Sequence, residues 1–324
     1  MLTDRRPRVS IAHLPTPLEM LPRLTALLGG PQLWVKRDDQ TGLATGGNKT
    51  RKLEFLVAEA LARGADTLVT CGAAQSNHAR QTAAAAARFG LACTLVLRGK
   101  PPAQAQGNLL LDQLLGAEVV WTEDAPIEER TEEVAESLRA RGCRSYIVPY
   151  GGSNPVGVCG YVAAMEELLA QAARIGVFFD HIVLASSSGG TQAGLMVAAR
   201  ALGYRGRILG ISVDLPAGSL CQQMAELANA TADHLGLPLS LAPEDFAVED
   251  SYLGGGYGVI GDPEREAIRL LARTEGLLLD PVYTGRAFGG LIDLIRQGAF
   301  SPQERVLFWH TGGIAGLFAR PNLE

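Results

Sequence analysis

Short apolar runs alternate along the chain with longer stretches whose apolar residues recur every three or four positions. The runs at 67–70, 93–97, 118–121, 145–148, 181–185, 207–213 and 306–309 predict strands, because they are brief and carry no polar alternation. The stretches at 77–88, 107–115, 127–141, 155–173, 191–202, 263–274 and 285–296 predict helices. The pattern is clearest over 49–63, where Leu53, Leu56, Val57, Ala60 and Leu61 form one stripe. Arg51, Lys52, Glu54 and Glu59 fall off that stripe and are expected on the solvent side, and Gly64 is the expected stop. Repeated strand–helix alternation predicts an α/β fold with mostly parallel, helix-covered sheets and a cleft between two of them.

Composition narrows the function classes. At 324 residues the chain is long enough for one large or two modest domains. A 47% hydrophobic and 19% charged composition is that of a globular protein and argues against disorder. The net charge of −5 gives no support to a nucleic-acid surface. No apolar run approaches the roughly 18–20 residues that span a bilayer, and residues 1–6 carry no apolar signal core, so a cytoplasmic protein without membrane partners is expected. The five cysteines are widely spaced and the five histidines scattered, which reads as reduced thiols and no metal site.

Three segments carry candidate chemistry. In Thr45-Gly46-Gly47-Asn48-Lys49 two glycines permit a tight turn and a lysine then opens a helix. The helix dipole opposes a cation there, and the same field is expected to lower its pKa and free the amine for imine chemistry. The plainer reading is a solvated lysine. Gln75-Ser76-Asn77-His78 follows a strand and opens a helix. Ser76 reads as an N-cap, and the same helix end can hold a carboxylate, with Asn77 and His78 facing the cleft. Ser186-Ser187-Ser188-Gly189-Gly190-Thr191 likewise joins a strand to a helix. It lacks a G-K-[ST] ending and a G-x-G-x-x-G pattern, so a phosphate outside a nucleotide fits it better than ATP or NAD. Tyr257 and Tyr283 lie in glycine-flanked loops that can hold a phenol over a ligand, although either alone can be a packing residue. His310-Thr311-Gly312-Gly313 ends an apolar strand, a position that lines ligand crevices in α/β sheets.

Taken in order, Pro15-Thr16-Pro17-Leu18, Lys36-Arg37-Asp38-Asp39, Gly46 to Glu54, Gln75 to His78, the loop at 186–194, Leu279 to Tyr283 and His310 to Gly313 resemble the D-cysteine desulfhydrase and 1-aminocyclopropane-1-carboxylate (ACC) deaminase group. That group belongs to the fold-type II pyridoxal-phosphate (PLP) enzymes, similar to tryptophan synthase β. The resemblance runs from about residue 8 to 320. It implies a two-domain, tryptophan-synthase-β-like α/β architecture with the cofactor in the interdomain cleft. The large domain comprises 1–50 and 159–324, and 51–158 form a small inserted domain. The resemblance also implies a homodimer.

The resemblance further implies roles. Lys49 holds PLP and shuttles the Cα proton. Asn77 bonds the cofactor 3′ oxygen, and Ser187, Ser188, Gly189, Gly190 and Thr191 hold its phosphate. Ser76 and His78 line the substrate carboxylate side, Tyr257 and Tyr283 face the substrate side chain, and Thr311 faces the pyridine nitrogen. ACC deaminases typically carry Glu directly after the second tyrosine, where this chain has Thr284. A hydroxyl does not keep the ring nitrogen protonated as a carboxylate does. The weaker electron sink favours expulsion of a good leaving group from Cβ over cyclopropane opening. β-Elimination of D-cysteine is therefore the expected reaction. L-Cysteate sulfo-lyase activity ranks next, since 46–50 and 76–82 are equally similar to those enzymes, and ACC deamination follows. A catalytically silent PLP-binding protein on the same fold is the competing class.

Overall fold

The computed structural model describes residues 1–320; positions 321–324, the tail of the expected large domain, lie outside the described residues. The chain opens with β1 (Leu18–Met20), α1 (Pro22–Leu28) and β2 (Gln32–Arg37). It continues through α2 (Asn48–Ala62), β3 (Thr67–Gly72), α3 (Asn77–Arg88), β4 (Ala92–Leu97), α4 (Gly107–Leu114), β5 (Glu118–Trp121), α5 (Ile127–Ala140) and β6 (Ser145–Ile147). Then come α6 (Pro155–Ile175), β7 (His181–Ser186), α7 (Gly190–Leu202), β8 (Arg207–Ser212), α8 (Ala217–Leu235), β9 (Ala247–Glu249), α9 (Asp262–Glu275), α10 (Thr284–Arg296) and β10 (Arg305–His310).

The strands form two sheets. One has the order β1-β2-β10-β7-β8-β9, and the other β5-β4-β3-β6. Every pairing is parallel except β1 with β2. The larger sheet therefore draws strands from both chain ends, and the smaller one only from the stretch between α2 and α6. The central strands are buried on both faces, which is why they carry continuous apolar runs rather than alternation.

The patterned elements match the expected ranges to within a few residues. β1, α1, β2, α8 and β9 were not predicted. β1 and β9 are three residues long, too short to show a period. The buried positions of α8 include Ala225, Ala228, Thr231 and Ala232, small residues that give little apolar contrast.

The single stripe expected for α2 is corrected. Leu61, placed on the stripe, is 38% exposed, whereas Arg51, Lys52 and Glu54 are buried. The helix lies between α6 and α3, so it is covered on more than one side. Its buried polar side chains are tolerated because each has partners. Arg51 donates to Asp38 and Glu167, Glu54 accepts from Arg8 and from the Ile11 and Ala12 amides, and Lys52 donates to Gly151 O and Ser153 Oγ. The predicted apolar positions Leu53, Leu56, Val57 and Ala60 do pack together, against Leu68, Ala79, Ala83 and Leu95 of the smaller sheet and its helices. Fully burying a leucine of this kind stabilises the fold by about 1.5–3 kcal/mol.

Candidate active site

The carboxyl ends of β3, β7 and β10 converge on one cleft. It is lined by Asn48, Lys49, Ser76, Asn77, His78, Tyr150, Gly151, residues 185–189, Thr191, Tyr283, Thr311 and Gly312. Lys49, Ser76, Asn77, His78, Ser187, Ser188, Gly189, Thr191, Tyr283 and Thr311, expected from dispersed sequence positions, thus share one wall-to-wall site. Gly190 and Tyr257 adjoin the lining residues, and Tyr257 is 39% exposed. Gly190 opens α7, and the Tyr257 hydroxyl bonds the Tyr283 hydroxyl at 2.5 Å.

Lys49 lies in the first turn of α2 and donates from Nζ to Asn48 Oδ1 at 3.1 Å. Asn48 in turn donates from Nδ2 to Thr191 Oγ1 at 3.0 Å, which ties the lysine to the Ser/Gly loop. Burial pushes the Lys49 ammonium down to about 8, with the Arg80 guanidinium adding to the effect and Asp280 opposing it. The helix dipole predicts a downward shift; the shift found has desolvation as its leading cause, with Arg80 the lesser lowering influence.

The loop ahead of Lys49 is strained. Leu43, Ala44 and Thr45 take φ of 41°, 50° and 73°, a left-handed conformation that side chains disfavour, and Gly46 and Gly47 continue it. Thr41 Oγ1 accepts from Gly47 N at 2.8 Å, and Arg80 donates to the Ala44 and Gly46 carbonyls. A strained loop with this many anchors is a preorganised one.

Ser76 caps α3, its Oγ accepting from Ala79 N at 3.1 Å, which leaves its own proton free to donate. His78 is buried and its Nε2 pairs with Thr70 Oγ1 at 2.8 Å, so the ring is fixed by β3. Burial, with Lys49 and Lys52 nearby, lowers its pKa well below the usual imidazole range and keeps it neutral. Burial raises the phenols of both Tyr257 and Tyr283, so each is a protonated donor at neutral pH.

The Ser/Gly loop has the chemistry of a phosphate site. α7 starts at Gly190 behind a left-handed Gly189 and has no side-chain cap; the Gly190 N–H donates to Ser188 O at 2.9 Å, and the N–H groups that follow in the first turn are left for a ligand. A Cβ at Gly190 would fall 2.4 Å from Ser153 Oγ and 2.8 Å from Lys52 Nζ, so the backbone must be bare there. Lys52 Nζ has neutral partners only among the described residues, and burial, with Lys49 beside it, lowers its pKa well below the usual ammonium range; a phosphate there would favour its charged form. The hydroxyls of Ser187 and Ser188 are engaged with Asp214 Oδ2 at 2.7 Å and Ser153 Oγ at 2.8 Å. Backbone amides and Lys52 therefore carry most of the anion-binding capacity.

Thr284 does not reach the cleft. It is buried, and its Oγ1 donates to Asp280 Oδ1 at 2.7 Å. Asp280 also accepts from the Val282, Tyr283 and Thr284 amides and so caps α10. Thr311, by contrast, lines the cleft, and no carboxylate does so among the described residues.

The sequence reading missed Lys52, Tyr150 and Asn48 as site residues. Lys52 was detectable, because it stands three residues after Lys49 and hence on the same helix face. Tyr150 had no local signal; a 3₁₀ turn after β6 carries it to the mouth of the cleft.

A family profile described as pyridoxal-phosphate dependent enzyme matches residues 9–312. The chain belongs to the pyridoxal-phosphate dependent enzymes, in the group that holds ACC deaminase and D-cysteine desulfhydrase. It is 44% identical over 326 residues to D-cysteine desulfhydrase of Klebsiella pneumoniae (strain 342), covering 98% of both chains. It is 42% identical over 330 residues to ACC deaminase of Burkholderia cenocepacia, again with 98% of both chains covered. A crystal structure of an ACC deaminase homologue, 41% identical, superposes with a TM-score of 0.90 over 98% of this chain and 95% of that one. A threonine deaminase from T.th., 25% identical, gives a TM-score of 0.63 over 92% of each chain. The fold is thus that of the type II PLP enzymes, PLP is the cofactor, and the protein is a PLP-dependent lyase of this group. No helix among the described residues is long and apolar enough to cross a membrane.

Proposed function

We propose that this PLP-dependent lyase converts D-cysteine and water to pyruvate, sulfide and ammonia by β-elimination. The observation that carries the reading is the absence of any carboxylate from the cleft lining among the described residues, with Thr284 turned to Asp280 and Thr311 at the wall. A hydroxyl leaves the ring nitrogen a weak electron sink, adequate for expelling a good leaving group.

Bound PLP would supply the sink for the electron pair left at Cα. Its phosphate would rest on Lys52 and the Ser187 to Thr191 loop, its 3′ oxygen on Asn77, and its ring nitrogen near Thr311. Lys49 would hold the cofactor and then, with its pKa near 8, take the Cα proton at neutral pH. Ser76 and the amide end of α3 bind the substrate carboxylate, with neutral His78 holding that wall in place. The paired hydroxyls of Tyr257 and Tyr283 face the side chain and deliver a proton to the departing sulfur. The division into an inserted unit at 51–158 and a large unit belongs to the same reading. Its limits fall inside α2 and α6, which would make those helices the joints. A cytoplasmic homodimer completes it, and the mass of the purified protein in solution tests the dimer.

The test is 2-oxo acid release by the PLP-loaded protein from D-cysteine, L-cysteine, L-cysteate and ACC in parallel. Pyruvate with equimolar sulfide from D-cysteine supports the proposal. Pyruvate with sulfite from L-cysteate, or 2-oxobutyrate from ACC, as the faster reaction overturns the substrate. Lys49→Ala is expected to lose both turnover and the visible absorption of the bound cofactor, and retention of both would sink the role of Lys49.

A further inference from the structure

We propose that Asn108 and Arg80 are positioning residues that fix which end of the Asn77 amide faces the cofactor. The proposal rests on the reading of Asn77 as the hydrogen-bond donor to the 3′ oxygen.

Arg80 lies on α3 and Asn108 in the first turn of α4, and both are fully buried. Arg80 Nε donates to Asn108 Oδ1 at 2.8 Å. A guanidinium has donors and no acceptor, so the atom it meets must be an oxygen. On its other side Asn108 Nδ2 donates to Gln75 O at 3.1 Å and to Asn77 Oδ1 at 3.0 Å. A backbone carbonyl only accepts, so it must meet the nitrogen. A flipped Asn108 would set N–H against N–H at Arg80 and oxygen against oxygen at Gln75. Its orientation is therefore dictated from both ends.

That dictates Asn77 in turn. Its Oδ1 is held by Asn108, so Nδ2 is the end left on the cleft wall, beside Gly313, where a built Cβ would come within 2.9 Å of it. An oxygen carrying negative charge needs a donor opposite it, and this is the end that supplies one. The order of donors runs one way, from Arg80 through Asn108 to Asn77.

The remaining Arg80 donors meet the Ala44 and Gly46 carbonyls in the strained loop before Lys49. One buried cation thus braces both the lysine side and the asparagine side of the site. No carboxylate lies within ion-pair distance of it among the described residues. The nearby Asp112 is buried and its carboxyl makes no hydrogen bond, so neutral acceptors hold Arg80 in place.

The experiment titrates apoprotein with PLP, following visible absorbance, for wild type, Asn77→Ala, Asn108→Asp and the double variant. Asn108→Asp keeps the oxygen for Arg80 but has no N–H for Asn77. Both single variants are expected to bind PLP roughly 10-fold more weakly, the scale of one hydrogen bond to a charged group. The double variant is expected to bind no more weakly than Asn77→Ala alone. Asn108→Asp is also expected to shift the visible maximum in the same direction as Asn77→Ala. If Asn108→Asp binds PLP as wild type does while Asn77→Ala is weakened, the positioning role is overturned and the reading of Asn77 stands. Losses that add in the double variant overturn it as well, since Asn108 then acts by another route. An unaltered Asn77→Ala removes the reading of Asn77 and the proposal with it. Thermal melting confirms that each variant is folded. If Asn108→Asp is not, Asn108→Ser loses the same amide and is read in the same way.

Discussion

Lys49 shows how a common residue acquires an uncommon property. Free lysine titrates at 10.5, and burial here lowers that to about 8. Its neutral form, the nucleophile, is then far more populated near neutral pH than in a solvated lysine. The rate at which apoprotein captures PLP covalently is therefore expected to rise with pH through a midpoint near 8, measured by stopped-flow absorbance. A midpoint above 10 would mean that the amine is solvated in the apoprotein. The same logic, with opposite sign, applies to Tyr257 and Tyr283, whose raised pKa values make them donors rather than bases. At this scale the sequence was informative wherever the local backbone signals its own use. Glycines before Lys49, a serine before a helix and a Ser/Gly turn after a strand each announce a site. For Lys52 the spacing from Lys49 was the one local hint, since its partners Gly151 and Ser153 lie about 100 positions away in the chain.

At the scale of elements, the loop from 42 to 47 matters most, since it sets where α2 begins and hence where Lys49 stands. Gly46 has φ of +70°, and a Cβ there would lie 2.1 Å from the Asp39 carbonyl oxygen, a backbone atom with no freedom to yield. Gly46→Ala is therefore expected to destabilise the protein by about 2–4 kcal/mol, combining a disfavoured left-handed conformation with a steric clash. Urea unfolding checks this, and an unchanged midpoint would show that the loop is pliable. The helix that follows also marks where periodicity misleads. A stripe of five apolar residues predicts one buried face, yet α2 is covered by α3 on one side and α6 on the other. Arg51, Lys52 and Glu54 looked like surface residues because charge alone cannot reveal that partners wait in distant segments.

Across the whole molecule, a buried charge network joins the elements of the larger sheet to α2. Asp38 accepts from Arg51, from the Tyr161 hydroxyl at 2.6 Å, from Trp309 Nε1 at 2.8 Å and from Thr16, while Glu167 bridges Arg51 and Lys36. Burial favours the neutral acid, but the Arg51 guanidinium prevails and holds Asp38 down to about 2. Its folded pKa is depressed, so the stabilisation is fully present above the unfolded value of 3.8 and is lost as pH falls towards 2. Asp38→Ala leaves Arg51 with an uncompensated buried charge on that side. It is expected to cost about 3–5 kcal/mol at pH 7, read from the denaturant midpoint, with the difference from wild type shrinking at the acid end. A loss below about 1 kcal/mol would mean that the network relaxes around the vacancy.

The sequence by itself determined the α/β class, most helices and central strands, and the turns that carry Lys49, Ser76 and the Ser/Gly loop. These follow from periodicity, capping and glycine chemistry, which act over a few residues and are written locally. Only the tertiary structure decided that Arg51 and Lys52 are interior, that Thr284 turns to Asp280 while Thr311 faces the cleft, and that Arg80 reaches Asn77 through Asn108. Each of those depends on partners far apart in the chain, and a hydrogen bond or an ion pair exists only once folding has set both ends within about 3 Å.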